Sequence, residues 1–104
     1  MEIRVLWSDT SLRQLQEIFD YYLIKAGEKV AKRLVKGIVE QSILLERNPL
    51  IGPVEPLLES NQFEYRYLVV GNYKVIYRYE NQTIRVVSVF DCRQNPTKLE
   101  GISE

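Results

Sequence analysis

The chain has 104 residues, with 14 lysines plus arginines balanced by 14 aspartates plus glutamates, no histidine and one cysteine. That length suits a single domain spanning residues 1–104, which can bury roughly two-thirds of its unfolded surface without staples. Charge balance removes the long-range basic field of a free nucleic-acid binder, the missing imidazole removes histidine triads, dyads and zinc sites, and the lone Cys92 cannot close an intrachain disulfide.

The first nine residues, MEIRVLWSD, lack the apolar core of a signal peptide, and no apolar run approaches membrane-spanning length. A soluble protein of a reducing compartment is expected, with no metal or cofactor. Ile3, Val5 and Trp7 alternate with Arg4 and Leu6 and predict a short strand. Ser8 and Asp9 offer oxygens to cap a helix, along which Leu12, Leu15, Phe19, Tyr22, Leu23 and Ala26 form an apolar face that ends near Gly27. Val30, Ala31, Leu34, Val35 and Ile38, then Ile43, Leu44 and Leu45, extend a second helix to about Asn48, where Pro49 disfavours continuation. The joint at Gly27 is short enough to require an antiparallel helix hairpin.

NPLIGPVEP, residues 48–56, reads as a surface crossing. Three strand-like runs follow: Phe63–Val70, Tyr73–Glu80 and Thr83–Phe90. Gly71-Asn72 predicts a two-residue hairpin with positive φ at the glycine, and Asn81-Gln82 predicts a second. The fold class is α+β: an N-terminal strand, an antiparallel helix hairpin, then a three-strand antiparallel meander packed on the helices. Residues from about 97 read as a loose tail.

Two-residue turns fix the register and sort side chains by face. Leu68, Val70, Tyr73, Val75, Tyr77, Tyr79, Ile84, Val86, Phe90 and Cys92 are expected beneath the helices. Tyr65, Tyr67, Lys74, Ile76, Arg78, Arg85, Val87, Val89, Asp91 and Arg93 are expected on an open face, with Arg78 directly opposite Arg85. Cations among aromatics can hold phosphates or carboxylates, or stack bases, although tyrosine and arginine are also ordinary residues of a solvated sheet face. Exposed Ile76, Val87 and Val89 among those cations would suit a partner segment with apolar anchors and carboxylates. Lys29, Lys32, Arg33 and Lys36, flanked by Glu28 and Glu40, read as a solvated helix face, and a structural role suits Glu64 and Arg66. Cys92 reads as a small core residue, and Glu46 is a distant candidate base.

The order of these elements, the close of the hairpin at Pro49 and Gly52, and YRYLVVGNYKVIYRY leading to IRVVSVFDCRQNP resemble the RelE/ParE toxins of bacterial type II toxin–antitoxin systems. The resemblance spans Ile3 to about Leu99. It implies a cytoplasmic toxin, associated with growth inhibition and plasmid stabilisation, that a cognate antitoxin wraps and neutralises. A homodimer or a toxin–antitoxin hetero-oligomer and the absence of membrane and cofactor follow from the same likeness. RelE-like members cleave messenger RNA on the ribosome, with basic sheet residues and a terminal tyrosine or histidine; ParE-like members act on DNA gyrase. By likeness, Lys74 stands where the nucleases carry a key arginine, and Arg93 approximates their C-terminal one. QNPTKLEGISE holds neither tyrosine nor histidine, a departure that favours a binding toxin over an enzyme. The alternatives are an endoribonuclease with Lys74, Arg93 and Glu46 as candidate catalytic residues, and a non-toxic member that serves only as an antitoxin partner. For target or antitoxin binding, the candidates are Tyr65, Tyr67, Lys74, Arg78, Arg85 and Arg93.

Overall fold

Ser8 ends the first strand and starts the first helix. In the computed structural model, which describes residues 2–93 and residue 102, β1 is Arg4–Trp7 and α1 is Asp9–Ala26. The Ser8 side chain accepts from the Ser11 backbone N–H, satisfying one of the donors a helix start leaves over. Gly27, at φ 93°, closes α1 and opens α2 (Glu28–Ile43), so one residue joins the two packed helices. The second helix ends earlier than the expected Asn48: Leu44–Glu46 tightens into a 3₁₀ turn before Pro49. Along its outer face Glu28 pairs with Lys32 at 2.8 Å and Lys36 approaches Glu40 at 3.8 Å, the solvated stripe that the sequence predicts.

After a 3₁₀ turn at Pro56–Leu58 come β2 (Arg66–Val70), β3 (Tyr73–Glu80) and β4 (Thr83–Asp91). They form one four-stranded sheet in the order β1-β4-β3-β2, the last three antiparallel and β1 parallel to β4. Gly71 has φ 60° in the first hairpin turn. Asn81 and Gln82 both have positive φ in the second, the two-residue geometry that matches strand twist.

The helices cover one sheet face. Leu15, Ile18 and Tyr22 of α1, with Ile38 and Leu45, pack on Tyr73, Val75, Tyr77, Ile84, Val86 and Val89. Leu12 and Leu23, expected in this face, are exposed, because the helix presents its 15–18–22 stripe instead, with the core position Ile18 at its centre.

The other face is not open. The segment after α2 folds back beneath the meander and closes a second cluster of Leu58, Tyr65, Ile76, Val87 and Phe90, with Phe63, Tyr67 and Ile102 packed on it. Ile76, Val87 and Val89, expected as exposed anchors, are each at most 1% accessible. The cause is twofold: β4 is covered on both sides, and a register shift falls at Ile76/Tyr77. Tyr77 pairs with Val86 and Ile76 with Ser88, leaving Val87 as the extra residue of a β-bulge. Beyond the bulge the faces are exchanged relative to the regular register. Val89 joins the helix-side core and Phe90 the second cluster, while Cys92 is exposed rather than buried. Apart from Ile102, the tail expected from about residue 97 lies outside the described residues.

Candidate functional site

The bulge decides where the candidate cations point, and a polar row on α1 supports it. Where β1 stops, opposite Val86, the first turns of α1 take over the hydrogen bonding of β4. Ser11 Oγ donates to Val86 O at 3.0 Å, Ser8 Oγ to Val87 O at 3.3 Å, and Gln14 Oε1 accepts from Val89 N at 2.8 Å and Ser88 Oγ at 3.2 Å. Backbone groups that a bulge would orphan are thereby paired.

Past this point Asp91 and Arg93 turn to the helix side. Arg93 grips Asp91 with Nε to Oδ1 at 2.9 Å and Nη2 to Oδ2 at 2.6 Å, and its backbone N–H adds a third bond at 2.8 Å. The bidentate guanidinium holds the Asp91 carboxyl down at about 2, while the carboxylate raises the arginine further above its usual range. The pair lines a groove of about 360 Å³ with Gln14, Glu17, Tyr21, Tyr22 and Tyr73. Burial pushes the Tyr73 hydroxyl well above the usual phenol range, and its hydrogen bond with Tyr22 acts in the same direction.

Lys74 lies on the opposite face, opposite Phe90 in the ladder. Its Nζ donates to Glu55 Oε1 at 2.9 Å and lies 2.7 Å from Oε2, which takes no aligned hydrogen bond among the described residues. The Glu55 side chain is 0% exposed and that of Lys74 19%. The ammonium also lies 4.2 Å from the Tyr67 ring centroid. Lys74 and Arg93, expected on one face, are thus separated by the sheet. Each already faces a carboxylate.

The other candidates divide similarly. Tyr65 is 1% exposed, edge-on to Phe63, and offers no open stacking surface. Arg78 and Arg85 are directly paired across β3 and β4, as the register predicts. The Arg78 guanidinium lies 3.9 Å from the Phe63 ring centroid and 2.6 Å from Glu80, while Arg85 is exposed. Glu46 is exposed on the 3₁₀ turn, and the carboxylate beside Lys74 is Glu55. Arg66 reaches back to the crossing, donating to Gly52 O at 2.8 Å, with Glu64 at 3.5 Å. Sequence reading missed Glu55, Tyr22 and Gln14. Glu55 lies between prolines with no periodicity to mark it, and the other two became visible only through the bulge they flank.

This arrangement offers charge and hydrogen bonding on two separate faces. No group of three or more His, Cys, Asp or Glu side chains suited to a metal occurs among the described residues. Nor does any helix there have the length and apolarity to cross a membrane.

The fold resembles that of the chromosomal ParDE TA system from P. aeruginosa, with a TM-score of 0.72 and 21% identity over 86% of this chain and 95% of that one. It also resembles the YoeB dimer from Staphylococcus aureus, with a TM-score of 0.52 and 20% identity over 85% and 94%. No curated protein matches the chain. Over residues 5–96 the sequence matches the family model of the ParE toxin of type II toxin–antitoxin system, parDE, and with nearly the whole described fold inside that match the chain belongs to this family.

Proposed function

We propose that this ParE-family chain acts by binding rather than by RNA cleavage, inhibiting growth through a target such as DNA gyrase until a cognate antitoxin neutralises it. The observation that carries the reading is the division of Lys74 and Arg93 between the two sheet faces, each engaged by its own carboxylate. A ribonuclease site must converge cations on one scissile phosphate to stabilise its developing charge, and these two do not converge. A partner antitoxin and a cytoplasmic location accord with family membership.

Two assays run side by side test it. Purified chain is expected to slow gyrase supercoiling and to leave ribosome-bound messenger intact. Codon-specific cleavage in a translation extract would replace this reading with the RelE-like nuclease. Expression without growth arrest would leave a member whose role is confined to its antitoxin.

A further inference from the structure

A second groove, of about 320 Å³, opens beside β1 on the meander face away from the helices, and neither Lys74 nor Arg93 belongs to it. Leu6, Trp7, Ser8, Arg78, Arg85 and Val87 line it. Leu6, Arg85 and Arg78 form one cross-strand row, since Leu6 pairs with Arg85 and Arg85 with Arg78. Two like charges in direct cross-strand relation repel. Arg78 is held in place by the Phe63 ring and by Glu80, whereas Arg85 is exposed and has no ion-pair partner among the described residues. An anion entering between them relieves the repulsion. Leu6, 40% exposed, supplies an apolar wall next to the charge, while the Trp7 side chain packs on the helix-side core.

We infer that this groove binds an extended protein segment carrying carboxylates beside apolar side chains. The rest of the same face supplies an example of such chemistry. Ile102, from the sequence LEGISE, packs on the cluster containing Val87, and its carbonyl accepts from Asn61 Nδ2 at 2.9 Å. An apolar anchor flanked in sequence by glutamates thus already rests on this sheet. Nucleic acid is the weaker fit. The chain carries no net positive charge, and the Phe63 ring on this face is occupied by Arg78.

The inference rests on the partner-binding reading above and names the chemistry of the partner. Fluorescence anisotropy with the full chain tests it, using a labelled peptide of alternating glutamate and leucine, its lysine-for-glutamate counterpart, and oligothymidine. The acidic peptide is expected to bind, with affinity that weakens as salt rises, and the basic one is not. Arg85→Glu is expected to weaken binding about tenfold or more, while Arg85→Lys retains most of it. Equal binding of both peptides, preference for oligothymidine, or full affinity in a folded Arg85→Glu variant would overturn the inference. The supercoiling assay reads the target separately: a chain that binds the peptide yet leaves gyrase untouched keeps this groove and loses the gyrase reading.

Discussion

Lys74 and Arg93 leave the sheet from opposite faces, and their carboxylate partners differ as much as their positions. Glu55 is fully buried and Lys74 nearly so, whereas the Arg93 side chain is 68% exposed beside Asp91. Removing Lys74 strands a buried carboxylate, so Lys74→Ala is expected to cost about 3 kcal/mol of stability. The double change Glu55→Leu with Lys74→Met is expected to return most of that loss, because an apolar pair needs no compensation. Arg93→Ala is expected to leave the urea midpoint nearly unchanged. Equal midpoints for Lys74→Ala and Arg93→Ala would remove the distinction between the two pairs.

Asp91 reports the Arg93 contact by its titration. A carboxyl held at about 2 contributes stability that is present above its unfolded value of about 3.9 and is lost as pH falls through about 2. The contribution is small because the Arg93 partner is 68% exposed and screened by solvent. Carbon-detected NMR is expected to place the Asp91 midpoint near 2 in the wild-type chain. Arg93→Ala is expected to return it toward the ordinary aspartate range. An unshifted midpoint in that variant would mean that the arginine does not set it.

The turns, the helix hairpin and the meander were legible because each has a local cause. Gly71-Asn72 and Asn81-Gln82 bracket β3, and the Ser8 cap fixes the start of α1. The bulge was not. Val86, Val87, Ser88, Val89 and Phe90 all lie in a strand buried on both faces, so the two-residue alternation that usually fixes register carries almost no information there. A shift at Val87 costs little in apolar burial, yet it exchanges the destinations of Val89, Phe90, Asp91 and Arg93. Reading Lys74 and Arg93 as face-mates therefore failed through this one residue. Glu55 was hidden for a different reason: its burial depends on a chain crossing that no local pattern encodes.

That crossing is held by the Tyr77 hydroxyl, which donates to Pro49 O at 2.8 Å and accepts from Gly52 N at 3.0 Å. Tyr77→Phe leaves both backbone groups without this partner and is expected to cost about 1–3 kcal/mol. Gly52→Ala is expected to be worse tolerated, because its added Cβ would clash with Tyr67 O and meet the Tyr77 hydroxyl at 2.8 Å. Thermal melts rank the two, and hydrogen exchange is expected to quicken at Gly52 in Tyr77→Phe. Wild-type stability in both variants would show that the crossing is secured elsewhere.

The Arg78–Arg85 pairing sets stability against recognition. Two guanidinium groups directly opposite in a sheet repel by a few tenths of a kcal/mol, and a β-branched neutral residue fits the exposed strand position better than arginine does. Arg85→Thr is therefore expected to raise the melting temperature slightly while weakening capture of the acidic peptide. Raising the salt concentration is expected to shrink the difference in melting temperature, since screening acts on the repulsion alone. A lower melting temperature in Arg85→Thr at every salt concentration would mean that Arg85 stabilises the sheet through its packing along the strand, and the cost assigned to the pairing would then be wrong.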